Sequence, residues 1–416
     1  MSCAHAAGIR PATFGVLRLP RNIVVGAQQR FAIADIAAEL GDSVLVCTDP
    51  RLAASDELQA LVTSLERRKL SVRVYGETQA ELPTPGIVSC VEGLKGQDID
   101  VVIGFGGGSC MDMAKVVSVL LTHGGQPSDY YGEFAVPGPV KPVIALPTTA
   151  GTGSEATAIA VVSDPGLGMK MGISSPHIIP FASVCDPELT YTCPPPLTAA
   201  TGADTFVHLV ESFTAITREP TRTLANERVF VGKNVLTDSL ALDGIRLLGR
   251  SLATAYKDPG NTDARADMML AALYGGIVLS NAGTAAAHAI QYPVGALTHT
   301  PHGVGVGLLL PYVVRHNFSA IEPQLAQVAE ALGRDIKGLD VRSAAIAGVE
   351  AIDEVIAAIE LPATLQDLGV QEGDLGQIAR LSLNSKRLID NNPVPLDLES
   401  VTSIVNAAYA GDRTIR

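Results

Sequence analysis

Short apolar runs alternate with amphipathic stretches through the first half of the chain. Residues 29–40 have helical spacing, and Gly41 follows them as the residue expected to end a helix. Alternation of helices and short strands is typical of βαβ units, so the pattern predicts a mostly parallel sheet flanked by helices. Compact runs rich in β-branched residues have the length of buried strands at residues 43–47, 71–75, 100–105 and 142–146.

The second half is rich in alanine and leucine at helical spacing, and few strand signals remain in it. Three consecutive prolines after Cys193 can continue neither a helix nor a central strand, so they mark a junction. We therefore predict an α/β domain over residues 1–193 and an all-α domain over residues 194–416. The clearest helix candidates in the second domain are residues 264–280, 341–358 and 398–408.

Composition agrees with two globular domains. The chain has 416 residues, which is longer than a single hydrophobic core usually supports. Hydrophobic residues make up 47% of it and aromatic residues only 4%, so the core must be built from Ala, Val, Leu and Ile. The net charge of −13 argues against nucleic acid or an anionic membrane as a partner. No stretch reaches the roughly 18 apolar residues of a membrane-spanning helix.

The cysteines and the N-terminus predict a cytoplasmic protein. The first ten residues lack a basic segment followed by an apolar one, so they do not resemble a secretory signal. The six cysteines form no C-x-x-C pair, and we expect reduced thiols. They are Cys3, Cys47, Cys90, Cys110, Cys185 and Cys193.

A glycine-rich turn follows the predicted strand at 100–105 and opens a helix. Gly106, Gly107 and Gly108 would let a ligand approach the backbone closely, and Ser109 can cap the helix whose first N–H groups would face a pyrophosphate. The turn matches neither the Walker A pattern nor G-x-G-x-x-G. The alternative is a tight strand-to-helix turn without a ligand.

A second glycine- and threonine-rich turn follows the predicted strand at 142–146. The hydroxyls of Thr148, Thr149 and Thr152 could donate to phosphate or ribose, and ligands of parallel sheets bind at the carboxyl ends of strands. Asp49 follows the 43–47 strand, where a carboxylate would accept from a ribose 2′-OH and repel a 2′-phosphate. Taken alone, Asp49 is a turn residue and Glu155 a helix cap.

Four residues have the character of a metal site. Asp204 and His208 stand four apart in a helical stretch, which places them one turn apart on one face. His288, His299 and His302 are three of only eight histidines, and Pro and Gly residues between them allow the chain to fold back. Asp204, His208, His288 and His302 would suit Fe²⁺ or Zn²⁺, with His299 a competing ligand on spacing alone. The histidines predicted to be structural or solvated are His5, His123, His177 and His316.

Taken together, these residues resemble the iron-containing alcohol dehydrogenase family, over nearly the whole chain. The strings that carry the likeness, in family order, are Gly-Gly-Gly-Ser-Cys-Met-Asp-Met-Ala-Lys at 106–115, Pro-Thr-Thr-Ala-Gly-Thr-Gly-Ser-Glu at 147–155, Asp-Pro-Glu-Leu-Thr at 186–190, Gly-Ala-Asp-Thr-Phe-Val-His at 202–208 and Pro-His-Gly at 301–303.

The resemblance implies an N-terminal Rossmann-like dinucleotide-binding domain and a C-terminal helical metal-binding domain, an architecture like that of dehydroquinate synthase, with the metal in the cleft between them. It places the metal ligands on Asp204, His208, His288 and His302, and His299 in the cleft wall. The cofactor contacts that it implies, together with those expected from the two turns, fall on Asp49, Gly106, Gly107, Gly108, Ser109, Thr148, Thr149, Thr152, Lys170 and Leu189.

Two positions depart from the family pattern. Tyr292 stands where many members carry a histidine close to the metal that is a candidate for proton transfer. A phenol has a reference pKa near 10, so a proton route through Tyr292 would need tuning by the metal or its neighbours, and His299 is the alternative relay. Tyrosine at this position also resembles subgroups that act on small acid aldehydes. Leu82 stands where the family often has an asparagine that bonds the cofactor.

The function these features predict is hydride transfer between NAD(H) and a small primary alcohol or aldehyde, including an acid semialdehyde. Asp49 favours NAD over NADP, and Fe²⁺ or Zn²⁺ would serve as the metal. The alternatives are a hydroxyacid–oxoacid transhydrogenase that retains its cofactor, a dehydroquinate-synthase-like lyase, and a non-catalytic binding protein with this fold. The resemblance also implies a homodimer or higher homo-oligomer, and we expect no nucleic-acid or membrane partner.

Overall fold

The computed structural model describes residues 14–415, so Cys3 and His5 lie outside the described residues. All strands within this range precede the first long helix of the second half. In chain order they are β1 (Asn22–Val25), β2 (Ser43–Cys47), β3 (Ser71–Tyr75), β4 (Val101–Gly106), β5 (Gly132–Glu133), β6 (Val143–Pro147), β7 (Ile159–Asp164), β8 (Met169–Ser174) and β9 (Ala182–Cys185).

The main sheet has six strands in the order β1-β9-β6-β4-β2-β3, and every pair in it is parallel. The four predicted strands are β2, β3, β4 and β6, so the predicted parallel α/β fold is confirmed. All six residues of β4 are buried, as expected for a central strand covered on both faces. Strand β4 runs one residue beyond its predicted end because Gly106 pairs with Pro147 of β6.

Five strands escaped sequence analysis. Strands β1 and β9 at one edge of the main sheet have four residues each and carry little pattern of their own. Strands β7 and β8 form an antiparallel hairpin, and the two-residue β5 joins it in a second sheet. In β8, Lys170 and Gly172 have low strand propensity, so pairing with β7 decides its conformation.

Helices flank the main sheet and form the second half of the chain. In chain order they are α1 (Ile33–Ala38), α2 (Pro50–Ala53), α3 (Asp56–Arg67), α4 (Thr84–Gly93), α5 (Gly108–His123), α6 (Pro195–Phe213), α7 (Leu224–Glu227), α8 (Asp238–Lys257), α9 (Thr262–Ala282), α10 (Ala286–Thr298), α11 (His302–His316), α12 (Phe318–Ala331), α13 (Val341–Ala357), α14 (Leu375–Ser382), α15 (Lys386–Ile389) and α16 (Leu398–Ala410).

The predicted helices of the second half are present as α9, α13 and α16, each within two residues of the predicted ends. The predicted helix at residues 29–40 is shorter: a 3₁₀ turn precedes α1, which ends at Ala38. Helix α6 begins directly after Pro194, with Pro195 in the first turn, where its missing N–H costs nothing. Helices α8, α9 and α11 pack around α6, which buries most of its residues.

The two halves of the chain touch closely beside the second glycine-rich turn. A Cβ added to Gly276 of α9 would lie 2.2 Å from the carbonyl oxygen of Gly153, and one added to Gly153 would lie 2.3 Å from the Gly276 Cα. Gly153 also has φ +64°, which favours glycine. This glycine-to-glycine contact fixes the turn against the helical half.

No single helix in residues 14–415 has the length and hydropathy needed to cross a membrane, although two pairs of helices joined at sharp bends would meet those criteria together.

Candidate active site

The first glycine-rich turn joins β4 to α5. Gly106 has φ +148°, and a Cβ there would lie 2.6 Å from Sγ of Cys110, so the turn requires glycine. Helix α5 begins at Gly108 with Gly107 as its N-cap, and no side chain caps it. The prediction that Ser109 caps this helix was therefore wrong, because the turn closes through the backbone. Ser109 lies instead in the first turn of α5 and lines a cavity.

The second turn follows β6 and lies against the first. The Thr148 N–H donates to the Gly106 carbonyl at 3.0 Å, and a Cβ on Gly108 would lie 2.7 Å from Cγ2 of Thr152. The Thr148 hydroxyl is buried and has no hydrogen-bond partner among the described residues. A buried hydroxyl without a partner costs free energy, so a ligand is expected to satisfy it. Thr149 is next to Gly107, where an added Cβ would lie 3.7 Å from the Thr149 hydroxyl oxygen.

The other predicted cofactor residues have different surroundings. Asp49 follows β2 and accepts from the Leu52 N–H at 2.9 Å, so it caps α2, as the simple turn interpretation predicts. Lys170 lines the cavity and forms an ion pair with Glu81. Leu189 lies in a 3₁₀ turn and is buried in a core cluster with residues of the main sheet. Leu82 is also buried, so its apolar side chain packs in the core.

The four predicted metal ligands come together. Asp204 and His208 lie one turn apart on α6, His288 lies on α10, and His302 is the first residue of α11. The Nε2 atoms of His208, His288 and His302 lie 3.3, 3.8 and 3.7 Å from Oδ1 of Asp204. Asp204, His288 and His302 each offer a ligand atom within 4.8 Å of the other two.

Their chemistry fits a divalent cation. Oδ1 of Asp204 and Nε2 of His288 are buried and have no hydrogen-bond partner among the described residues, as expected of atoms that bind an ion. Burial lowers the pKa of His208 to about 4 and that of His302 to about 3, with Asp204 opposing both shifts. The imidazoles of His208 and His302 are therefore neutral near pH 7, the form that binds metal.

Sequence analysis missed Glu211. Its carboxylate lies 2.7 Å from Nδ1 of His288 and accepts from the backbone N–H groups of Ala285 at 2.8 Å and Ala287 at 2.6 Å. A carboxylate behind a ligating histidine fixes the ring and its tautomer. The sequence did contain a signal for Glu211, because Asp204, His208 and Glu211 are spaced by four and three residues and so share one face of α6.

The two candidate proton-transfer residues differ in placement. Tyr292 lines the cavity, and its ring centroid lies 6.1 Å from that of His302. Burial raises the pKa of Tyr292, so the phenol stays protonated near pH 7. His299 is the exposed C-cap of α10, with φ 56°, and it does not line this cavity. The expectation that His299 forms part of the cleft wall was wrong for this cavity, because its side chain is exposed at the end of α10.

One cavity of about 200 Å³ connects the first turn with the histidine cluster. It is lined by Glu81, Gly108, Ser109, Asp112, Thr152, Ser154, Thr157, Ile159, Val161, Lys170, Asp204, His208, Phe230, Leu279, Thr284, His288, Tyr292, His302 and Arg387.

Comparison with known proteins agrees with this geometry. The family model for iron-containing alcohol dehydrogenase matches residues 20–187, and the C-terminal model of the Fe-containing alcohol dehydrogenase family matches residues 198–409. Long-chain-alcohol dehydrogenase 1 of Geobacillus thermodenitrificans is 33% identical over 371 residues, covering 88% of this chain and 90% of that one. Sulfoacetaldehyde reductase of Bilophila wadsworthia is 33% identical over 384 residues, covering 91% of this chain and 95% of that one.

A solved structure extends the agreement to the fold. Sulfoacetaldehyde reductase from Bifidobacterium kashiwanohense, in complex with NAD⁺, superposes with a TM-score of 0.81 at 28% identity, covering 96% of this chain and 100% of that one.

A parallel α/β sheet with two glycine-rich turns, beside a helical half that carries one carboxylate and three imidazoles, defines an α/β oxidoreductase with a candidate metal centre. The chain belongs to the iron-containing alcohol dehydrogenase family and is an alcohol dehydrogenase or aldehyde reductase. Family membership also favours this activity over the lyase and the non-catalytic alternatives.

Proposed function

We propose that the protein transfers a hydride between NAD(H) and a small primary alcohol or aldehyde at a metal held by Asp204, His208, His288 and His302. The observation that carries this proposal is the convergence of three imidazole nitrogens on the buried, unpartnered Oδ1 of Asp204. The cavity that contains this cluster also reaches the first turn of α5.

The two glycine-rich turns are the proposed cofactor site. The pyrophosphate would lie against residues 106–109, and the unpartnered Thr148 hydroxyl would donate to the cofactor. Asp49 would face the adenosine ribose, where its negative charge disfavours a 2′-phosphate and therefore NADP. The relative solved with NAD⁺ supports this choice.

Fe²⁺ is the proposed metal because of the family, and Zn²⁺ suits the same ligands. When bound, the metal would act as a Lewis acid that lowers the pKa of an alcohol and polarises an aldehyde. Glu211 would hold the His288 ring in the tautomer whose Nε2 lone pair faces the site. Tyr292, protonated and beside His302, would donate a hydrogen bond to the substrate and is the proposed start of the proton route.

The proposed substrate is small, since the cavity is about 200 Å³, and acid semialdehydes are included in the class. Two relatives are sulfoacetaldehyde reductases, which supports an aldehyde with an acidic group. We also propose that the domain boundary lies near residue 193, between the end of β9 and the start of α6.

A reductase assay tests this function. The protein would be loaded without oxygen with Fe²⁺ or Zn²⁺ and given a panel of short aldehydes with NADH or NADPH, following absorbance at 340 nm. We expect metal-dependent oxidation of NADH and a smaller rate with NADPH. Tight retention of NAD through turnover would instead indicate the transhydrogenase, and a protein inactive with every aldehyde and both metals would refute the proposal.

A further inference from the structure

Arg387 lies in the wall of the active-site cavity, and nothing in the sequence pattern singles it out. It belongs to the short helix α15, far along the chain from the histidine cluster. Its guanidinium carbon lies 4.4 Å from the ring centroid of Phe230, a buried residue that also lines the cavity. The cation therefore stands at the cavity surface, held over an aromatic face.

The other charged groups of the cavity wall are already compensated. Lys170 is paired with Glu81. Asp112 lies 3.6 Å from the Lys115 ammonium group and accepts hydrogen bonds from Ser154 and Val161. Asp204 belongs to the proposed metal site.

Arg387, by contrast, forms no ion pair and no hydrogen bond with any residue in the range 14–415. Burial lowers the pKa of Arg387, and the nearby Tyr292 hydroxyl and the carboxylates of Glu133 and Glu211 act against this shift. An arginine remains charged under these conditions, so the cavity wall carries a guanidinium with no ion-pair partner among the described residues.

Glu133 cannot neutralise that charge by itself. Its carboxylate accepts from the Val229 N–H at 2.5 Å, and its charge also acts on Arg18 and Arg218. One carboxylate thus serves three guanidinium groups, and Glu211 is engaged by His288. Neither carboxylate therefore serves Arg387 alone.

Tyr292 connects this cation with the histidine cluster. Its ring lies 6.1 Å from that of His302, and Arg387 is the charge that most lowers the Tyr292 pKa against burial. His302, Tyr292 and Arg387 all line this cavity, and Tyr292 interacts with both of the others. A short substrate whose reacting carbon lies at the cluster would extend past Tyr292 toward the guanidinium.

We propose that Arg387 binds an anionic group at the far end of the substrate, so that the enzyme prefers short aldehydes or alcohols bearing a carboxylate, sulfonate or phosphonate. This inference rests on the proposed function and adds the substrate class and the residue that selects it. The planar guanidinium suits such groups because it can donate two parallel hydrogen bonds to their oxygens. An uncharged chain of the same length would leave this partly buried cation unpaired.

The test compares matched anionic and neutral aldehydes. We would measure kcat/KM with NADH for succinic semialdehyde, sulfoacetaldehyde and phosphonoacetaldehyde, each against an uncharged aldehyde of equal length. The variants are Arg387→Met, which removes the charge, and Arg387→Lys, which keeps it without the two-pronged geometry. Lys386→Met is the control, because it removes the neighbouring exposed cation of the same helix.

We expect the wild type to favour one or more of the anionic aldehydes. Arg387→Met should reduce the ratio of anionic to neutral kcat/KM by about 10- to 100-fold, as loss of a charge-assisted hydrogen bond does. The ratio for Arg387→Lys should lie between those of the wild type and Arg387→Met, and Lys386→Met should leave the ratio unchanged. The most favoured acid then identifies the anionic group.

A binding measurement on the wild-type protein tests the inference without requiring turnover. It also does not depend on whether a variant folds. Calorimetry of succinate against succinamide with wild-type protein should show tighter binding of the dianion, and Arg387→Met should remove the difference. If neutral aldehydes are reduced as well as anionic ones and succinate binds no better than succinamide, the anion site is refuted while the dehydrogenase stands. If no aldehyde is reduced, the dehydrogenase fails and the calorimetry alone decides on the anion site.

Discussion

Nδ1 of His288 lies 2.7 Å from Oε2 of Glu211, and both side chains are buried. This contact determines which nitrogen of the ring faces Asp204. Because Nδ1 is engaged by a carboxylate, the proton resides there and Nε2 presents its lone pair to the cluster. The helix α6 therefore supplies two proposed ligands and the residue that orients a third.

Replacing Glu211 with Gln should weaken metal binding about 10- to 100-fold, the usual cost of losing a partner of a ligating histidine. The charge that holds the Nδ1 proton is lost, and the amide has one oxygen in place of the two that accept separately from Ala285 and Ala287. Competition with a chelator measures the affinity. Glu350→Gln, an exposed change on α13, is the control. Equal affinities in the two variants would show that Glu211 does not support the site.

Adjacent glycines of α9 should respond oppositely to alanine. In Gly276→Ala the new Cβ would lie 2.2 Å from a backbone oxygen of Gly153, so we expect a loss of about 3 kcal/mol or more in unfolding free energy. In Gly275→Ala the nearest atom is 3.5 Å away, and alanine should stabilise the helix by up to about 1 kcal/mol. Urea unfolding of both variants measures this, and similar stabilities would contradict the close contact.

Glu155 should make stability depend on pH. Burial raises its pKa from 4.5 to about 7, so its contribution is favourable below pH 4.5 and is lost as pH rises through 7, where the buried carboxylate ionises. Glu155→Gln should therefore stabilise the metal-free protein at about pH 8, by at most about 3 kcal/mol, and have little effect at about pH 4.5. Thermal unfolding at both pH values checks this. A difference in stability between Glu155→Gln and the wild type that does not change with pH would contradict the raised pKa of Glu155.

Asp49 should control the choice of cofactor without being needed for the fold. Asp49→Asn keeps a side-chain oxygen for the Leu52 N–H but removes the charge. We expect its preference for NADH over NADPH in kcat/KM to fall about tenfold or more, since a like charge no longer faces the 2′-phosphate. Asp49→Ala loses the helix cap as well as the charge. A Tm lower than that of Asp49→Asn would measure the capping role separately from the cofactor role. An unchanged preference in both variants would remove Asp49 from the cofactor site.

The strands with strong local patterns were predictable, and those defined by distant pairing were not. The runs of β2 and β4 are apolar enough to identify by themselves. Strand β9 has four residues, and it becomes a strand because β1 and β6 lie on either side of it. The antiparallel pair β7 and β8 likewise depends on pairing across a turn.

The site divides in the same way. Asp204 and His208 are visible as a helical pair, whereas the position of His288 relative to them depends on how α10 packs against α11 and α11 against α6. His299 shows the limit of spacing arguments. It is only three residues from His302, yet it is the exposed, left-handed C-cap of α10. Arg387 reaches the cavity only through the packing of α15, which no local sequence pattern reports.

The central claim is that Asp204, His208, His288 and His302 hold the metal on which turnover depends. The most direct measurement is bound iron and NADH-dependent aldehyde reduction in His288→Ala and, as its control, His299→Ala, both loaded with Fe²⁺ without oxygen. We expect His288→Ala to lose both metal and turnover, and His299→Ala to retain its iron. A metal-free His288→Ala protein with full activity would contradict the account.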